Sequence, residues 1–123
     1  MVSARHHDLD GKHVKIAHLA DVHLDAQFAL FPPHVARNRR HALESALKAG
    51  IERAAEENVD AILIAGDLYE HERVSPNTGE FLRALFETVA PTPIFVAPGN
   101  HDWYGPPSLY RQLGWSPNVH VFS

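Results

Sequence analysis

Short apolar runs alternate along the chain with longer stretches in which apolar residues recur every three or four positions. Val14 to Ala20 (Val-Lys-Ile-Ala-His-Leu-Ala) is apolar and β-branched enough to read as a strand. Residues 24–33 lack periodicity and end in Pro32-Pro33, so a helix is expected to start near His34 or Val35. Within it Leu43, Ala46, Leu47, Ile51, Ala54 and Ala55 form one apolar stripe. Arg39, Arg40, Glu44, Lys48, Glu52 and Glu56 fall off the stripe, and Glu44 precedes Lys48 by four residues, a favourable pairing. Gly50 weakens the helix locally and marks close packing.

Asp60 to Ala65 is almost wholly apolar, as expected of a strand buried on both faces. A second helix is predicted over Asn77 to Val89, with Leu82, Leu85, Phe86 and Val89 on one face. Pro91 and Pro93 interrupt the chain before a third strand, Ile94 to Ala97. Residues 98–107 form a Pro- and Gly-rich loop, Ser108 to Leu113 a short helix and Val119 to Phe122 a fourth strand. Residues 1–13 read as a loose polar leader, leaving 14–123 as the folded part. Strand alternating with helix predicts an α/β fold with a largely parallel sheet and right-handed crossovers.

With 123 residues there is room for one small domain. An apolar fraction of 45% is ordinary for a globular protein, and a net charge of -4 gives no broad basic field for nucleic acid. There is no cysteine, which excludes disulfides and thiolate metal sites. No apolar run is long enough to span a bilayer and no signal-peptide pattern opens the chain, so a cytoplasmic protein without a membrane partner is expected. Patterns for a P-loop, a dinucleotide fold or a serine hydrolase are absent.

The candidate chemistry lies in three loops, each following an apolar run: Asp21-Val22-His23, Gly66-Asp67 and Gly99-Asn100-His101-Asp102. In a parallel sheet all three emerge at the carboxyl ends of strands, where open α/β sheets place ligands. Neighbouring strands would bring the loops to within roughly 10 Å of one another. Asp21 and His23, one residue apart in extended chain, can face one side. Asp67 has two oxygens and can bridge two ions, and Asn100 offers a neutral carbonyl oxygen.

Mixed oxygen and imidazole ligands without sulfur favour manganese, iron or zinc over calcium. Two such ions about 3.5–4 Å apart would clamp a phosphate and activate water for in-line attack. His101 would then protonate the leaving oxygen or stabilise developing charge, with Asp102 orienting it. Each residue has a plainer reading alone: Asp21 and Asn100 as turn residues, Gly66-Asp67 as a turn dipeptide. Their ordered coincidence favours the metal site.

The other histidines carry less. His18 and His120 sit within strands and read as hydrogen-bonded core residues, and His6, His7, His13, His34 and His41 as surface. His71 also reads as surface, although it follows Asp67 closely enough to line the same pocket. Arg37, Arg39 and Arg40 read as a solvated helix face, and Trp103 and Tyr104 as packing under the third loop, with base stacking as the alternative.

At these residues the chain resembles the calcineurin-like metallophosphoesterases, which use D-x-H, G-D and G-N-H-D or G-N-H-E. The wider context resembles the DNA-repair exonuclease branch, the SbcD-type nucleases: Ile16 to Asp25, Ile64 to Tyr69 and Pro98 to Asp102. The resemblance runs over residues 14–123 and implies the first half of a β-sandwich flanked by helices. It implies that Asp21, His23 and Asp67 hold one metal, that Asp67 and Asn100 hold a second, and that His101 is catalytic. It further implies manganese, DNA as substrate, an SbcC-like SMC-type ATPase partner and room for a homodimer. Family members supply a further histidine and a G-H-x-H motif after the third loop, which this sequence lacks, so an amino-terminal portion of a larger enzyme is expected. A phosphoesterase acting on nucleotides or phosphoproteins, and an inactive metal-binding or interaction module, stay open as alternatives.

Overall fold

A computed structural model describes residues 2–9 and 12–123, with side chains from His13 onward. In chain order the elements are β1 (Val2–Leu9), β2 (Lys12–Leu19), α1 (Pro33–Glu56), β3 (Ala61–Ala65), α2 (Pro76–Glu87), β4 (Ile94–Ala97), α3 (Leu109–Gln112) and β5 (Val119–Val121). The strands form one sheet in the order β1-β2-β3-β4-β5. β2 to β5 are parallel to their neighbours, and β1 runs antiparallel to β2. The α/β class and the parallel sheet are as the alternation predicts.

The expected loose leader is a correction. Val2 to Leu9 pairs along the whole of β2, from Val2 opposite Leu19 to Leu9 opposite Lys12. Residues 2–9 show no clean alternation of polar and apolar positions, so this strand is drawn by the backbone groups of the β2 edge rather than by side-chain pattern.

Each crossover steps one strand in the same direction. With right-handed connections this puts α1 and α2 on one face of the sheet. The burial pattern agrees. Ala17, Leu19, Ile62, Ile64, Ile94 and Val96 point to the helices and are buried. They pack with Leu47, Ile51 and Ala54 of α1 and Leu82, Leu85 and Phe86 of α2 in one core. Gly50 is buried too. From the expected α1 stripe, Ala46 and Ala55 are exposed and Leu43 is half-buried.

The opposite face differs from the sequence expectation. β3 is buried on alternate residues only, with Leu63 half-buried and Ala65 exposed. Among the described residues no helix lies on that side. His18 projects there in solvent instead of joining the core, and His120 is exposed and stacked on Phe95, ring centroids 5.1 Å apart. On α1 the i,i+4 ion pairs are Lys48–Glu52 and Arg53–Glu57, in place of Glu44–Lys48. No described helix is long and apolar enough to cross a membrane.

A test of this asymmetry is direct. Phe86→Ala should destabilise the fold by about 3–5 kcal/mol, as aromatic truncation in a core does. His18→Ala should change stability by no more than about 0.5 kcal/mol, as exposed substitutions do. Urea unfolding followed by far-ultraviolet circular dichroism reads both.

Candidate metal centre

The three motif loops meet where the parallel strands end. Gly66 N–H donates to the Ala97 carbonyl at 2.8 Å, Asp21 N–H to the Gly66 carbonyl at 3.2 Å and His23 N–H to the Asp67 carbonyl at 2.9 Å. The first two loops stay zipped beyond the sheet: Leu24 N–H donates to the Leu68 carbonyl and Glu70 N–H to the Leu24 carbonyl. The side chain of Asp25 closes this stretch by accepting from Ser75 N–H at 3.0 Å and the Thr78 hydroxyl at 2.6 Å, which ties it to the start of α2.

The backbone of the first motif is not the extended chain the spacing suggests. Asp21, His23 and Asp25 have φ of 54°, 53° and 63°, and Asp67 has φ of 53°. Aspartate and histidine tolerate the left-handed region better than most residues, at a cost of about 1–2 kcal/mol each. Because alternate residues share this conformation, Asp21 and His23 still face the same way, with His23 Nε2 3.9 Å from Asp21 Oδ1. Strain concentrated at the residues with ligating side chains is a common mark of a functional site.

Asp67 Oδ1 accepts from His101 N–H at 2.9 Å, which sets the second loop against the third. Only glycine fits at position 99, since a Cβ there would lie 2.4 Å from that same oxygen.

Asp21, His23 and Asp67 each present a ligating atom, all within 4.8 Å of one another. A second group of the same closeness is His23, Glu70 and His101. Carboxylate and imidazole donors at this spacing fit a divalent ion of the manganese, iron or zinc type. Asn100 is exposed and lies on the wall of an adjoining cavity of about 520 Å³ with Glu70 and His101. The loops therefore bring Asp21, His23, Asp67 and His101 together, and put Asn100 beside them.

Glu70 is the residue the sequence reading missed. Its Oε1 lies 2.9 Å from His23 Nδ1 and its Oε2 2.9 Å from His101 Nδ1. A carboxylate can only accept, so each Nδ1 carries a proton and each Nε2 is left as the free position of its ring. The two rings meet edge to face, with centroids 5.2 Å apart. The hydrogen bond to Glu70 and its charge, helped by the charges of Asp67 and Asp102, raise the His101 pKa above the usual histidine value against slight desolvation. The available signal was a carboxylate three residues after Asp67 on the loop facing the imidazoles.

Asp102 does not orient His101, which corrects the sequence expectation. It is fully buried and faces inward, while the bend in the backbone at this loop leaves His101 facing out. Its carboxylate accepts from Asp67 N–H at 3.0 Å, Leu68 N–H at 2.7 Å, Gly99 N–H at 2.6 Å and the Tyr110 hydroxyl. Burial and the charge of Asp102 hold the Tyr110 pKa far above its ordinary value. The same two causes push Tyr69 up to about 12. Tyr110 thus stays a donor at any working pH.

The calcineurin-like phosphoesterase family matches residues 14–123, and the chain belongs to that family of phosphoester hydrolases, whose chemistry depends on divalent metal. It is 33% identical over 111 residues to the metallophosphoesterase YhaO of Bacillus subtilis, covering 86% of this chain and 27% of that protein. It is 35% identical over 92 residues to the DNA double-strand break repair protein Mre11 of Aeropyrum pernix, covering 72% of this chain and 21% of that protein. The Mre11 of Archaeoglobus fulgidus is likewise 35% identical, over 94 residues, with 72% and 19% covered. The chain thus spans between 19% and 27% of the length of these relatives.

Removing one donor to Asp102 should cost stability without touching the open cavity. Tyr110→Phe is expected to lose about 1.5–3 kcal/mol, the worth of a hydrogen bond to a charged group. Asp102→Ala should lose more, because it leaves three loop N–H groups without their acceptor. Urea denaturation checks the order. Equal stability of wild type and Tyr110→Phe would contradict the role given to this carboxylate.

Proposed function

We propose that this domain belongs to a manganese-dependent phosphodiesterase that cuts DNA as an exonuclease or endonuclease in repair. The observation that carries the reading is the meeting of Asp21, His23 and Asp67 at the ends of adjacent parallel strands, with His101 and Asn100 at its side. Support for DNA over other phosphoesters comes from the two Mre11 relatives, both DNA double-strand break repair proteins.

In this reading Asp21, His23 and Asp67 hold one ion, and Asp67 with Asn100 holds a second. The ions, when bound, neutralise phosphate charge and make water a better nucleophile. His23 binds through Nε2, because Nδ1 is committed to Glu70. His101 is the acid that protonates the leaving oxygen, its ring held and its proton favoured by Glu70. Asp102 contributes indirectly, by fixing the loops that carry Asp67 and His101. An SbcC-like SMC-type ATPase is the partner this reading assigns, and the cytoplasm is its place.

The experiment is manganese-dependent hydrolysis of linear DNA by the full-length protein. Asp67→Ala should abolish turnover and weaken manganese binding. His101→Ala should keep manganese, read by calorimetry, and lose rate by about 10²–10⁴, the span of an acid–base group. Glu70→Gln should lose about 10–100-fold in activity or metal affinity, as partners of ligating histidines do. Loss of metal in His101→Ala, or faster turnover of nucleotides or phosphoproteins than of DNA, would contradict the assignment.

A further inference from the structure

We infer that Asp25 is a positioning residue for the metal centre: its carboxylate, anchored on the first turn of α2, fixes the loop after β2 so that His23 and Glu70 keep their places. This rests on the metal-site reading above and adds a residue that touches no ion.

Asp25 lies two residues past His23, at the end of the stretch that joins the first loop to the second. Leu24 N–H donates to the Leu68 carbonyl at 3.0 Å, and Glu70 N–H to the Leu24 carbonyl at 2.9 Å. The side chains on either side of this rung are those that meet at 2.9 Å, His23 Nδ1 and Glu70 Oε1. The rung is a single parallel bridge, Leu24 to Tyr69, outside the main strands. So short a pairing has few bonds to resist fraying and needs support at its end.

Asp25 supplies that support. Its Oδ2 accepts from Ser75 N–H at 3.0 Å and from the Thr78 hydroxyl at 2.6 Å. With φ of 63° it is the third left-handed residue in the alternating series with Asp21 and His23. A non-glycine residue keeps that conformation only where its surroundings hold it there. Its carboxylate is spent on α2, and neither cluster of ligating atoms includes it.

The helix has a cap of its own. Ser75 Oγ accepts from Thr78 N–H at 3.2 Å, as an N-cap serine does. The Asp25 carboxylate is a second acceptor, brought from 50 residues away. An acceptor added to a helix already capped fastens the loop that carries it. The attachment is firm, because Thr78 is buried at 2% exposure and α2 is packed into the core through Leu82, Leu85 and Phe86. The Thr78 hydroxyl, donating to Asp25, is left to accept from the Ser75 hydroxyl at 3.0 Å, which extends the chain of hydrogen bonds.

The test uses the full-length protein, with amide hydrogen exchange of the metal-free form as one readout and manganese affinity by calorimetry as the other. In Asp25→Ala the Leu24 and Glu70 amides should exchange about tenfold faster or more, while those of Ile62 and Ile64 keep the wild-type rate. Manganese affinity should fall about 10–100-fold, as it does when a group that orients ligands is removed. Asp25→Asn, which keeps an oxygen acceptor and drops the charge, should recover most of both losses. Thr78→Val, which removes one of the two donors, should move both readouts the same way by less, and it carries the test if Asp25→Ala fails to fold. Wild-type exchange at Leu24 and Glu70, unchanged manganese affinity in a variant where those amides have loosened, or Asp25→Asn as impaired as Asp25→Ala would each overturn the assignment, the last because charge and not position would then be the cause. A wild type that binds no manganese while its amides respond as expected would strike the metal-site reading and leave the anchoring of the loop standing.

Discussion

One buried carboxylate holds the working end of this molecule together. Asp102 has no exposed surface and gathers the N–H groups of Asp67, Leu68 and Gly99, with the Tyr110 hydroxyl as a fourth donor. A buried charge is tolerated only when its hydrogen-bonding capacity is met, and here the protein meets it with backbone from two different loops. The energetic demand of the charge thereby becomes a geometric constraint. The loop after β3 and the loop after β4 cannot drift apart without stranding it. Asp67 returns the constraint by accepting from His101 N–H.

Glu70 works on the outer side of the same junction. It sits where the first loop is zipped to the second, and its two oxygens face two imidazoles. A single side chain thus sets the tautomer of His23 and raises the basicity of its neighbour His101. The two carboxylates divide the labour: Asp102 positions backbone, and Glu70 positions rings. The left-handed residues Asp21, His23 and Asp67 show that this junction is costly locally. The core of Leu47, Ile51, Ile62, Phe86 and Ile94 on the helical face can absorb that cost.

Much of this was legible in the sequence, for a simple reason. Apolar runs and three-to-four periodicity report burial, and burial on the helical face is strong, so Ile62, Ile64, Leu82, Phe86 and Val96 fall where the pattern puts them. Convergence of the three motifs followed from parallel topology alone. What escaped has a common cause: it depends on direction rather than position. The sequence places His101 beside Asp102, but the backbone turns one outward and the other inward, so the carboxylate that reaches the ring is Glu70, far away in sequence. β1 escaped because backbone pairing, not side-chain pattern, forms it. The open face of the sheet escaped because an apolar run cannot tell burial on one side from burial on both, as Leu63 and Ala65 illustrate.

The central claim is that Asp21, His23 and Asp67 hold a divalent ion in one shared site, with His101 poised at its edge. Anomalous diffraction at the manganese absorption edge, on crystals of the full-length protein grown with manganese, tests it most directly. The account predicts a strong peak within ligating distance of Asp21, His23 and Asp67, with His101 outside the coordination sphere. A peak bound by other residues with these three empty, or no peak at all at saturating manganese, would contradict it.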